Sequence, residues 1–241
     1  MSSATRTSFY RELWSALFSP ARYLSFAVFY ALSAAFLSAA LHLGEGRFWT
    51  LQALWTLSVA LLLPVLAAFV TMPLFAGERS AGTFEGLTLL PIPLRKIVIG
   101  KFVASFLSVC VGIAGNLVPW FILSHMLGTR APNSAFLSGS LVILALHAFS
   151  WTSLGTLCSS LSRRPWTAAA GTLLVGGGLM LVWAACSRFF FTGNLQSDPF
   201  PIWNELLDAA DGRIALHSIV FHLSFGLWCL FASIQHMEER R

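Results

Sequence analysis

The strongest constraint on this chain is where its charges are absent. Six stretches, 23–43, 51–76, 102–127, 136–158, 167–187 and 214–235, contain no Asp, Glu, Lys or Arg and run for 21, 26, 26, 23, 21 and 22 residues. All 25 charged side chains lie in the rest of the 241 residues. A helix needs roughly 20 apolar residues to cross about 30 Å of hydrocarbon, and in lipid each backbone N–H and C=O must be paired inside the segment. The pattern therefore predicts an all-α integral membrane protein with six transmembrane helices in a single domain over residues 1–241. The second and third stretches are long enough to tilt, or to run an end along the interface. A soluble domain is roughly a quarter charged, whereas this chain is 10% charged. That excludes soluble enzymes, disordered tails and coiled coils.

The basic residues give an orientation. Arg6, Arg11, Arg22, Arg79, Arg95, Lys96, Lys101, Arg163, Arg164, Arg240 and Arg241 fall on the side shared by both termini, and only Arg47, Arg130, Arg188 and Arg213 fall on the other. By the positive-inside rule, both termini and the loops near residues 90 and 163 are expected in the cytoplasm. The first apolar stretch starts only at Tyr23 and lacks a clear small-residue cleavage site, so it reads as a retained span. The net charge of +5 follows from this topology and does not point to nucleic acid. Cys110, Cys158, Cys186 and Cys229 lie in or at the end of four different spans with no Cys-x-x-Cys pair, as small packing residues do.

Three segments outside the spans are amphipathic. In the first, at 6–18, Phe9, Leu13 and Leu17 form one column beside Tyr10, Trp14 and Phe18, with Arg11, Glu12, Ser8 and Ser15 opposite. This predicts an interfacial helix ended by Ser19-Pro20. The second lies between 188 and 213, where Pro201 precedes Ile202, Trp203, Leu206, Leu207 and Ala210. A short helix on or dipping into the outer leaflet is expected there. The third is the loop 77–101, where Thr83 is an N-cap candidate and Phe84, Leu87 and Leu90 recur every three positions before Pro91-Ile92-Pro93. A helix at about 82–90 is expected, too short to span and too apolar on one side to face water.

The run Glu78-Arg79-x-x-Gly82-Thr83-x-Glu85-x-Leu87, the Leu-Leu-Pro turn and Ile99-Gly100-Lys101 resemble the segment after the second span of type 2 ABC transporter permeases. Gly212-Arg213-Ile214, a final span and a terminal Glu238-Glu239-Arg240-Arg241 are similar to the gliding-motility-associated permease branch. The resemblance implies a permease subunit, of exporter type, in a bacterial inner membrane. It implies a coupling helix in which Glu78, Arg79, Gly82, Thr83, Phe84, Glu85 and Leu87 contact a separate nucleotide-binding ATPase. ATP and Mg would be bound by that partner, and a second copy or a related permease would complete the transporter. A plainer reading leaves Glu78 and Arg79 as a solvated pair of little energetic weight.

The chain shows no phosphate-binding loop of its own. Its only Gly-Lys, Gly100-Lys101, has Arg95 where the first glycine of a P-loop would stand and Phe102 where Ser or Thr would follow. No catalytic, cofactor or metal residue stands out. His217 and His222 are five apart, so they do not share a helix face, and no carboxylate lies inside a span. Isolated histidines such as His147 and His222 are expected to hydrogen-bond a neighbouring helix. Asn116, one turn before Pro119, is the polar candidate for a pathway or a helix interface. Ala168, Thr172 and Gly176 form a small-residue strip for close helix contact. Two other classes remain: an intramembrane enzyme acting on lipid or isoprenoid, and a scaffold subunit without transport.

Overall fold

The computed structural model describes residues 20–43, 51–84, 86, 93–126, 134–191, 206, 208–209 and 212–239. The interfacial helix expected at 6–18 lies outside them. The described chain contains no strand. It forms α1 (Pro20–Leu43), α2 (Leu51–Thr71), α3 (Ala76–Ser80), α4 (Leu94–Met126), α5 (Ser134–Leu161), α6 (Pro165–Phe191) and α7 (Leu216–Glu238). All of these except α3 are long and apolar enough to cross a membrane, which makes the fold an all-α integral membrane protein.

The helix limits differ from the charge-free stretches at the end carrying Lys101. α2 stops at Thr71 and not at residue 76, because Pro73 cannot donate to a helix and disfavours helical backbone at Met72. α4 begins at Leu94, so Arg95, Lys96 and Lys101 are helical and not part of a loop. Charge marks where a helix leaves hydrocarbon and does not mark where it ends. Pro64 and Pro119 sit inside α2 and α4, each removing one backbone hydrogen bond without ending its helix.

α2 and α5 form the centre of the bundle. Two-thirds (67%) of the apolar window of each is buried within the chain, against 22% for α1 and α6. Trp55, Leu63, Leu66 and Val70 of α2 pack with Val109 and Ile113 of α4, Ile143, Leu144 and Leu154 of α5, and Cys229 of α7. The strip on α6 serves this packing. Ala168 and Thr172 are fully buried, and a Cβ at Gly176 would overlap the Trp151 ring of α5. Leu206 and Ala209 also join the core, and a Cβ at Gly139 of α5 would overlap the Ala209 carbonyl. The part of the 188–213 segment that is described thus rests on the bundle itself.

Candidate functional site

The loop after α2 is fastened to three helices. Its backbone N–H groups at Phe75 and Ala76 would lack partners at the start of α3. Both donate to Ser159 Oγ of α5, at 3.1 and 3.2 Å, and that hydroxyl donates to the Met72 carbonyl at 3.3 Å. One side chain therefore organises the turn between α2 and α3.

The two charges of α3 take separate partners. Glu78 Oε1 lies 2.5 Å from Lys101 Nζ of α4, the one ion pair among the described residues. Lys101 also donates to the Leu74 carbonyl at 2.9 Å and stands over the Phe75 ring at 5.4 Å. Its side chain is 10% exposed, so the pair sits partly out of water. Arg79 turns the other way, donating to the carbonyls of Ser160 at 2.5 Å and Ser162 at 3.0 Å. These carbonyls belong to the end of α5, where the helix has orphan acceptors and a negative dipole end, so a guanidinium is stabilised there. Arg79 further contacts Met237 Sδ of α7 at 3.5 Å and lies 4.8 Å over the Phe84 ring. Beneath these contacts Leu74, Phe75, Val98 and Met237 form a small core with Phe84 and Ile234 packed on it.

The end of α3 explains why Gly82 belongs in the motif. Thr83 N–H donates to the Glu78 carbonyl at 3.0 Å and Gly82 N–H to the Arg79 carbonyl at 3.2 Å. This is a Schellman C-cap, and it needs a left-handed residue, which Gly82 supplies with φ of 71°. Thr83 Oγ1 also donates to the Glu78 carbonyl. Thr83, expected as an N-cap, is therefore seen closing α3, and helical backbone resumes at Phe84 and Gly86. Of the coupling residues named from sequence, Glu78, Arg79, Gly82, Thr83 and Phe84 are brought together here. Glu85 and Leu87 lie outside the described residues.

Sequence reasoning missed the receiving side: Ser159, the α5 carbonyls, Met237 and the role of Lys101. A usable signal was Ser159-Ser160-x-Ser162, a serine-rich helix end facing a loop rich in charge.

Asn116 lies elsewhere, fifteen residues beyond Lys101 along α4, and is 2% exposed. Its Oδ1 accepts from Trp55 Nε1 of α2 at 3.0 Å and from Ser33 Oγ of α1 at 3.3 Å, so it ties three helices together. Trp120 packs against Trp55 beside it, with ring centroids 5.4 Å apart and the ring planes tilted by 35°. The histidines form a third polar contact. His222 Nδ1 of α7 bonds Ser150 Oγ of α5 at 2.8 Å, as expected of an isolated intramembrane histidine. Its ring lies 4.4 Å from that of His147, a pairing the helical-face argument did not foresee because it crosses between helices. Among the described residues no three or more His, Cys, Asp or Glu gather as metal ligands.

These features belong to a helical membrane subunit whose most elaborate polar contacts hold a connecting loop at one end. Residues 6–234 match the family model described as ABC-2 family transporter protein, and the chain belongs to that family. It is the permease subunit of an ATP-binding cassette transporter, a multi-pass membrane protein of a class that works with an ATPase. No curated protein matches the chain.

Proposed function

We propose that the segment from Ala76 to about Leu90 is the coupling element of an exporter permease, and that a separate ATPase subunit, holding ATP and Mg, presses on it to drive alternating access. The observation that carries this reading is the fastening of α3 to α4 through Lys101, to α5 through Ser159 and Arg79, and to α7 through Met237. A force applied to a loop moves helices only if the loop is rigidly joined to them. Here such joints reach three of the six long helices. Glu85 and Leu87, within this segment, belong to the surface offered to the ATPase.

Charge placement and the resemblance of the loop and tail support the remaining features of the reading. Both termini lie in the cytoplasm of a bacterial cell, with the chain in its inner membrane. α1 and α6 leave broad apolar surfaces that lipid and a second permease, identical or related, would share. The similarity of the loop and the C-terminal tail to the gliding-motility-associated branch supports placing the chain there.

The test is copurification with the separate ATPase subunit, comparing wild type with Glu85→Arg. The expected outcome is loss of the complex or of transport-linked ATP hydrolysis. Retention of both shows that the coupling surface lies elsewhere. Cysteine labelling at position 163 is expected only from the cytoplasm, and labelling from outside reverses the topology.

A further inference from the structure

We infer that Arg22 and the groove between α1 and α2 form a binding site for an anionic phospholipid, with the phosphate on Arg22 and an acyl chain along the groove. This does not rest on the coupling reading.

Arg22 is the polar half of the site. It is only 8% exposed, and its NH1 donates to Ser108 Oγ of α4 at 2.6 Å. Ser108 is neutral, and no carboxylate lies within ion-pair distance of Arg22 among the described residues. Ser108 is also seven residues, about 10 Å of helix rise, further into the charge-free stretch than Lys101. A guanidinium held at that depth calls for an anion, because a single neutral hydroxyl does not offset its lost hydration. Arg carries five N–H donors in a planar fork that suits phosphate oxygens. One turn away on the same face of α4, Ser105 Oγ is buried and lacks a hydrogen-bond partner among the described residues. It supplies a second donor.

The apolar half adjoins it. Arg22, Ser25, Phe29 and Leu32 follow one another at spacings of three and four, so they share a stripe of α1. One turn beyond Arg22, the residues Ser25, Val28, Phe29 and Leu32 line one wall of an open groove whose other wall is Leu62, Val65, Leu66 and Phe69 of α2. The space between its walls, counted out to the open side, is about 220 Å³. Its lining runs from Ser25 to Leu32 on α1 and from Leu62 to Phe69 on α2, about two turns of each helix, and is apolar except for Ser25. Val28 and Leu32 at its rim are exposed, so the groove opens where the bundle meets lipid.

The full chain, reconstituted into nanodiscs of equal phosphatidylglycerol and phosphatidylcholine, is released into detergent and its retained lipids counted by native mass spectrometry. Wild type is expected to retain phosphatidylglycerol in preference to phosphatidylcholine by roughly tenfold, the worth of one charge-assisted hydrogen-bond set. Arg22→Gln is expected to bring the ratio near parity, and Arg22→Lys to restore part of it. Val65→Trp, which fills the groove and leaves Arg22 intact, is expected to lower retention of phosphatidylglycerol several-fold. Equal retention of the two lipids by wild type overturns the proposal, whether or not Arg22→Gln folds. So does an unchanged preference in Arg22→Gln or undiminished retention in Val65→Trp. Inorganic phosphate added to phosphatidylcholine nanodiscs is expected to leave thermal stability unchanged. Stabilisation equal to that by phosphatidylglycerol overturns the lipid assignment in favour of a soluble anion.

Discussion

α4 carries two polar centres that make an instructive pair, Lys101 near its start and Asn116 fifteen residues on, roughly 22 Å away at 1.5 Å per residue. Lys101 takes the Glu78 carboxylate and the Leu74 carbonyl at a chain turn, and Arg79 beside that ion pair takes carbonyls at the end of α5. Around Asn116 the partners are neutral side chains, Trp55 and Ser33, on the faces of uninterrupted helices. Full charges gather where helices end because their last carbonyls are unpaired and can accept from a cation. In mid-helix those carbonyls are already used, and a neutral amide is the strongest group that can be satisfied without a counter-ion. The first centre joins a loop to helices, whereas the second joins helices to one another. Mutations should separate these two jobs.

The largest effect is expected from Lys101→Met. It leaves Glu78 charged and partly buried beside Phe75, and removes the donor to the Leu74 carbonyl. Breaking one side of such a pair is expected to cost about 3 kcal/mol, seen as earlier unfolding in denaturant titrations in micelles. ATPase stimulation should fall with it. The double variant Lys101→Met with Glu78→Leu removes both charges and should recover much of the stability but little of the coupling. Stability and coupling rising together in the double variant would show that the ion pair serves folding alone.

Asn116→Leu tests the other centre. Trp55 Nε1 and Ser33 Oγ lose a shared acceptor inside the bundle, at an expected cost of about 2 kcal/mol. ATP hydrolysis per folded complex should be unchanged, because no contact of Asn116 reaches α3. A selective loss of coupling here would erase the distinction between the two centres.

Much of the fold was legible, and the residues show why. Six spans follow from the absence of charge alone, since hydrocarbon penalises every charged side chain irrespective of tertiary structure. The ends were less legible. Lys101 bounds a charge-free stretch, yet its helix begins at Leu94, because a helix continues into the headgroup layer wherever nothing stops it. The motif residues Glu78, Arg79 and Gly82 stood out by resemblance to the permease family, but the Arg79 partners Ser160 and Met237 are 81 and 158 residues away, and Ser159, which holds the turn, is 84 residues from Phe75. Serine at a helix end is too common to be singled out before the loop is seen against it. His147 and His222 show the same limit, since periodicity relates residues within one helix and their contact lies between two.

Ser159→Ala is a finer probe of the loop. Two N–H donors, at Phe75 and Ala76, lose the same acceptor while the charges stay in place. The turn lies near an aqueous end of the bundle, where water can replace part of the loss, so about 1 kcal/mol is expected. Hydrogen exchange at residues 75–76 should rise markedly while that around Asn116 stays protected. Equal loss of protection at both places would show that the loop and the mid-bundle open as one cooperative unit.

The smallest expected effect belongs to Gly82→Ala, and its direction is the informative part. With φ of 71° the position is left-handed, which costs an alanine about 1 kcal/mol relative to glycine. A Cβ there would meet no atom within 4 Å among the described residues, so the penalty is conformational and not steric. Bundle stability should therefore change little. The cost should instead appear as fraying of the cap formed by Gly82 and Thr83 on α3. Asparagine tolerates left-handed backbone better than alanine does, so Gly82→Asn should lie between wild type and Gly82→Ala. If ATPase stimulation follows that order at constant bundle stability, the geometry of the turn, and not its contacts, sets the angle at which the rest of the loop leaves α3.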